Sequence, residues 1–152
     1  MKQKAIIIDI DGTLAKNRVQ ATPRMNHWKD YWPLYEHIPW DEVQEWCLDI
    51  IRHYLKTRII FLTARPEHTR IDTHQWLTQH LPLSIDLDYE IIMMPDDYPE
   101  NMSVETYKSV EAYKLLKNYD VLFAIDDNKS VCEMYERLGI KALHCNVSCG
   151  VK

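Results

Sequence analysis

Apolar and polar positions fall in blocks along the chain. Ala5-Ile6-Ile7-Ile8 is an unbroken apolar run, mostly β-branched, the pattern of a strand buried on both faces. Ile59-Ile60-Phe61-Leu62, Tyr89 to Met94, Val121 to Ile125 and Ile140 to Cys145 read as four further strands. Between them the apolar spacing changes to three and four. Trp40, Val43, Cys47, Ile50, Ile51 and Tyr54, with Asp41, Glu42, Glu45 and Asp49 between them, predict a helix over residues 40–55. Pro66 suits the first turn of a second helix, which carries Ile71, Trp76 and Leu77 to about residue 80, before Pro82. Ser103 caps a helix running to about Lys117, after the acidic loop Pro95-Asp96-Asp97-Tyr98-Pro99-Glu100. Ser130-Val131-Cys132-Glu133 fits a capping box, and Gly139 is placed as the C′ glycine of the helix that box opens. Residues 14–39 have no clear periodicity. Strands alternating with helices imply an α/β fold: a parallel sheet, right-handed crossovers and helices on both faces.

Composition narrows the class. A chain of 152 residues, 46% hydrophobic, is most simply one domain, residues 1–152. No apolar stretch reaches the roughly 18 residues of a membrane span. The first strand begins too early to leave room for a signal peptide, so a cytoplasmic location is the default expectation. Cys47, Cys132, Cys145 and Cys149 are scattered, which predicts reduced thiols and no zinc site. In that setting the glycosylation patterns at Asn101 and Asn146 are idle. The seven histidines show no shared ligand spacing. The residues from Asn146 to Lys152 read as a frayed tail. A net charge of −5 argues against a protein that coats nucleic acid generally. With glycine only at 12, 139 and 150, neither a phosphate-binding P-loop nor a Gly-x-Gly-x-x-Gly fingerprint can be present.

The chemistry lies at the strand ends. The first strand runs into Asp9 and Asp11, the second into Thr63 and Arg65, the fourth into Asp126 and Asp127. In a parallel sheet these ends share one edge, where α/β sites form. Asp9 and Asp11 are two apart and repel, so a hard divalent cation such as Mg²⁺ is the natural compensation. Gly12 permits the tight turn beyond them. The set suits phosphoryl transfer. Acids can hold Mg²⁺, one aspartate can attack phosphorus, and a second can give and take a proton. A hydroxyl and cations can hold the equatorial oxygens. The insert at 14–39 carries Lys16, Arg18, Arg24, His27 and Lys29 with Trp28, Tyr31, Trp32 and Tyr35. It can grip phosphate and stack on a base, or simply pack on the domain.

Asp9-Ile10-Asp11-Gly12-Thr13 resembles the first signature of the haloacid dehalogenase (HAD) superfamily. Phe61-Leu62-Thr63 resembles its second signature and Ala124-Ile125-Asp126-Asp127 its fourth. The third is a lysine, for which Lys108 is the choice and Lys114 the alternative. Asp11-Gly12-Thr13-Leu14-Ala15-Lys16, Thr63-Ala64-Arg65 and Val131-Cys132-Glu133-Met134-Tyr135 are similar, more closely, to the 3′-phosphatase domain of phage polynucleotide kinase/phosphatase enzymes. That family usually has Ser-Gly-Arg where this chain has Thr63-Ala64-Arg65. The resemblance implies a Rossmann-like HAD fold, a five-stranded sheet in order 5-4-1-2-3, and a minimal cap formed by 14–39. It implies that Asp9 is the nucleophile and Asp11 the acid and base. Mg²⁺ would be held by Asp9, the Asp11 carbonyl, Asp126 and Asp127. Thr63 and Lys108 would hold the phosphoryl group, with Arg65, Arg18 and Thr13 on the substrate.

The function expected is a Mg²⁺-dependent phosphatase for 3′-phosphate ends of nucleic acid, without a kinase half. Large caps accompany metabolite phosphatases of this superfamily, and the insert is too short for one. The alternatives are a nucleotidase or small-metabolite phosphatase of the same superfamily, and a non-enzymatic, receiver-like binding module. The receiver reading suffers because its acceptor aspartate would end the third strand, where Met93-Met94-Pro95 stands.

Overall fold

The computed structural model describes residues 1–16, 25–82 and 87–145. Five strands form a parallel sheet: β1 (Gln3–Ile8), β4 (Arg58–Pro66), β5 (Tyr89–Met94), β6 (Tyr119–Asp126) and β7 (Ala142–His144). Their order is β5-β4-β1-β6-β7. The two short strands β2 (Ala15–Lys16) and β3 (Glu42–Val43) form a separate antiparallel pair. Leaving those aside, the order is the expected 5-4-1-2-3 read from the opposite edge.

β1 is central because it is apolar on both faces. Ile6 and Ile7 stand beside Ile59 and Ile60 of β4 and beside Phe123 and Ala124 of β6. The pleat sends alternate side chains to opposite layers. Ile6, Ile8, Ile59 and Phe61 pack against α1 (Glu45–Arg52) and α2 (Arg70–His80), meeting Cys47, Ile51, Trp76 and Leu77. Ala5, Ile7, Ile60, Leu62 and Ala124 pack against α3 (Val104–Asn118) and α4 (Lys129–Arg137), meeting Tyr107, Leu115, Val131 and Tyr135. The two helix layers therefore clamp the sheet and aim its carboxyl edge outward. Among the described residues no helix is long and apolar enough to cross a membrane.

Several local expectations change. The aperiodic stretch 14–39 contains most of a 3-10 segment, Trp28–Trp40, interrupted by Pro33 and Pro39. The helix expected over 40–55 begins only at Glu45. Val43 is held extended against Ala15, and the Gln44 N–H donates to the Leu14 carbonyl, so the chain cannot coil before that point. Trp40 ends the 3-10 segment and is exposed. Pro66 closes β4 rather than opening the next helix, and a short 3-10 turn, Glu67–Thr69, precedes α2. Ile71, grouped with Trp76 and Leu77 as an apolar position of this helix, is 73% exposed. α2 buries Thr73, Trp76 and Leu77, and Ile71 lies about 200° around the helix from Thr73. Asn128, not Ser130, caps α4: its side chain accepts from the Ser130 and Val131 N–H groups. The last strand is shorter than Ile140 to Cys145. Cys47, Cys132 and Cys145 are free thiols. Arg18, Arg24, Cys149 and the 146–152 tail lie outside the described residues.

The layer assignment predicts opposite outcomes for two isoleucines. Ile7→Ala should destabilise the protein by about 2–5 kcal/mol, because it leaves a cavity in the central strand. Ile71→Ala should stay within about 0.5 kcal/mol. Denaturant unfolding monitored by circular dichroism reads both.

Candidate active site

Asp9 is the first residue beyond β1, and its N–H donates to the Ile125 carbonyl of β6. Asp126 is the last residue of β6. Lys108 reaches both from α3: its Nζ donates to Asp9 Oδ1 at 3.0 Å and to Asp126 Oδ2 at 2.7 Å. Its side chain is only 3% exposed. Lys114, the alternative, is 65% exposed and pairs with Glu111. The difference is one of helix face: Lys108 lies on the buried side of α3.

Asp9, Asp126 and Asp127 each offer a carboxylate oxygen, and these atoms lie within 4.8 Å of one another. Two ionised carboxylates so placed repel by roughly 3 kcal/mol at an effective dielectric near 20. Burial, then Asp126, pushes the Asp9 carboxyl well above the usual range, despite the ammonium beside it. The same two causes raise Asp127 to about 6. For Lys108 burial opposes the charge, but Asp126 and Asp9 outweigh it and hold the ammonium well above its ordinary pKa. One ammonium thus faces three carboxylates, and the excess negative charge calls for a further cation. The donors are all hard oxygens, which matches a small divalent ion rather than zinc.

The loop after β1 is shaped for this crowding. Gly12 has φ +78°, and a Cβ there would lie 2.1 Å from Asp127 Oδ2, so glycine alone lets Asp127 approach. Thr13 is buried and turned inward, donating to Asp9 Oδ2 at 3.2 Å. Cys145 Sγ is 3.5 Å from the same hydroxyl. The Asn128 N–H donates to Asp126 Oδ1 at 2.9 Å, so the residue that caps α4 also fixes a carboxylate. Thr63 lines the cleft, and its hydroxyl accepts from the Arg65 N–H at 3.1 Å.

Asp11 belongs to a second ion-pair system. Arg65 Nε donates to Asp11 Oδ2 at 3.0 Å and Nη2 to Oδ1 at 2.8 Å. Nη1 donates to Thr73 Oγ1 at 3.1 Å, and Asp41 Oδ2 is 3.7 Å from Nη2. Arg65 has no exposed surface and does not line the cleft, whereas the resemblance implies a place on the substrate. Thr73 and Asp41 carried no local signal. Asp41 looks like an ordinary polar helix position, and Thr73 like a surface threonine. Asn128 was legible as an Asx cap before Ser130.

A cleft of about 890 Å³ opens onto Asp9, Asp11, Thr63, Lys108, Asp126 and Asp127. Lys16, Trp28, Tyr31 and Tyr35 form another part of its wall. The insert is anchored to the loop after β5. His27 Nε2 bonds to the Glu100 carbonyl at 2.7 Å, the Trp28 indole donates to the Met102 carbonyl at 2.9 Å, and Lys29 pairs with Glu100. Trp32 does not line the cleft; it packs edge-on against His68, 5.2 Å away. The aromatics of the insert therefore divide: Trp28, Tyr31 and Tyr35 face the cleft and Trp32 packs on the domain.

A family profile described as the polynucleotide kinase PNKP phosphatase domain matches residues 3–148. The chain belongs to this family. It is a HAD-superfamily phosphatase and a phosphoric monoester hydrolase. Among solved structures it is similar to one of the Pnkp1/Rnl/Hen1 complex, with 20% identity and a TM-score of 0.65 over 95% of this chain and 46% of that one. A second, of the Pnkp1/Rnl/Hen1 RNA repair complex, gives 21% identity and a TM-score of 0.68 over 95% and 42%. The chain therefore spans less than half the length of either protein. None of the curated proteins matches it significantly.

Lys108→Met should lower phosphatase activity by about 10²–10³-fold, the loss usual for a positioned donor. Without a divalent cation it should also cost about 3–5 kcal/mol of stability, because it strands two buried carboxylates. Lys114→Met should leave both unchanged. Steady-state assays and unfolding curves of the two variants separate the lysines.

Proposed function

We propose that the protein is a Mg²⁺-dependent phosphatase that removes 3′-phosphates from nucleic-acid ends through an aspartyl-phosphate on Asp9. The observation that carries the reading is the Asp9–Lys108–Asp126–Asp127 cluster opening into a cleft much larger than a phosphate. Asp9, the Asp11 carbonyl, Asp126 and Asp127 are the residues that would hold Mg²⁺. When bound, that ion neutralises phosphate charge, so that an anionic nucleophile can approach. Asp9 attacks phosphorus, and the ester bond breaks with its electron pair leaving on the sugar oxygen. Asp11 gives that oxygen a proton. Asp11 then takes a proton from water, whose oxygen attacks phosphorus, and Asp9 leaves as a carboxylate. Lys108 and the Thr63 hydroxyl hold the transferring oxygens.

The nucleic-acid substrate is supported by family membership, by one similar structure being that of an RNA repair complex, and by the cleft wall. There Lys16 and the rings of Trp28, Tyr31 and Tyr35 offer charge and stacking surface beyond the phosphate site. A nucleotidase is the second reading, because about 890 Å³ is also within the size range of small-molecule pockets.

Three measurements test these points. A 3′-phosphorylated oligonucleotide should be hydrolysed with at least about tenfold higher kcat/KM than a nucleoside 3′-monophosphate; equal or better use of the monomer favours the nucleotidase. Asp9→Asn should abolish turnover with the fold intact, and retained turnover refutes the nucleophile. Magnesium at about 100 times its Kd should stabilise the protein by about 2.7 kcal/mol, read as a rise in Tm. Asp126→Asn should lose that rise.

A further inference from the structure

We infer that Arg65 is a positioning residue for the proton-transfer carboxylate Asp11, braced by Thr73 and Asp41, and does not bind phosphate. The inference rests on the roles proposed above for Asp9 and Asp11. Four observations carry it. Arg65 is fully buried and absent from the cleft wall, so a phosphate in the cleft does not meet it. Its Nε and Nη2 form a two-pronged pair with both oxygens of Asp11, which fixes the plane of that carboxylate as well as its place. Its remaining nitrogen, Nη1, donates to Thr73. Two carboxylates, Asp11 and Asp41, already face the guanidinium, so a phosphate would bring further negative charge to a cation already matched.

The bracing draws on two buried polar residues. Thr73 is a buried polar residue on the apolar face of α2, and its hydroxyl accepts from Arg65. Asp41 is buried ahead of α1, and its backbone carbonyl accepts from the Trp76 indole at 2.8 Å. Thr73 and Trp76 are three apart, so one face of α2 anchors both partners of the guanidinium. The Tyr35 ring, 5.9 Å from the guanidinium carbon, stands against it on the cleft side. Asp11 itself is a quarter exposed, and the two-pronged pair with Arg65 restrains its short side chain. α2 thus orients Asp11 through Arg65 and does not touch the cleft.

The test exploits the chemistry of the leaving group. p-Nitrophenolate leaves without a proton, so phosphorylation of Asp9 by p-nitrophenyl phosphate does not need an oriented Asp11. An alkyl ester, such as a 3′-phosphorylated oligonucleotide, does need it. With the full chain and Mg²⁺ in rapid-quench experiments, Arg65→Met should phosphorylate Asp9 from p-nitrophenyl phosphate within about tenfold of the wild-type rate. It should then stall, giving a burst of about one equivalent. From the oligonucleotide, phosphorylation should fall about 10²-fold or more, the usual contribution of a positioned acid. Arg65→Lys should restore little, because one ammonium cannot replace a planar fork. Thr73→Val keeps the guanidinium and removes only its brace. It should show the same selectivity at about tenfold, and it decides the matter if Arg65→Met does not fold. Equal losses for the two esters, or a raised KM with kcat kept, would overturn the inference and return Arg65 to the phosphate. The underlying reading fails separately: wild-type enzyme would then form no acid-stable phosphoenzyme, or Asp9→Asn would still release p-nitrophenolate.

Discussion

The structure depends on holding three carboxylates together at the carboxyl edge of one sheet. Asp9, Asp126 and Asp127 repel one another, and burial raises the cost of their charge. The fold answers with a buried ammonium from α3, a glycine that leaves room for Asp127, and backbone and hydroxyl donors from Asn128 and Thr13. Such a cluster persists only on a rigid support. The apolar strands β1, β4 and β6, gripped by helices on both faces, provide it.

The two acids of the first strand end show how sequence neighbours can be given different surroundings. Asp9 is tied to Lys108, which comes from the α3 and α4 layer. Asp11 is tied to Arg65, which is braced from the α1 and α2 layer. Each helix layer therefore holds one of the pair. Asp9 is placed among charges that a metal would complete, and Asp11 is placed at a cation that orients it. The separation suits the proposed division between attack and proton transfer, because an ammonium and a fork-shaped guanidinium constrain a carboxylate differently.

The insert contributes by attachment. Its hydrogen bonds to Glu100 and Met102 fasten it to the loop after β5, and its aromatic rings divide between that seam and the cleft wall. A segment with two internal prolines and no helical period gains its shape from those contacts and not from its own propensity.

The sequence by itself determined the strands, their alternation with helices, the convergence of Asp9, Asp11, Thr63, Asp126 and Asp127 on one edge, and the family signatures. These are local properties: an apolar run and a following acid are read within a few residues. It misjudged the start of α1 and the cap of α4 and left the facing of Ile71 open, because spacing alone cannot say which helix face meets the sheet or which backbone groups find a distant partner. Tertiary structure alone decided between Lys108 and Lys114, turned Thr13 toward Asp9, and seated Arg65 among Asp11, Thr73 and Asp41. Each of those outcomes is a contact between residues far apart in the chain, set by how the two helix layers dock, and no period or motif encodes that docking.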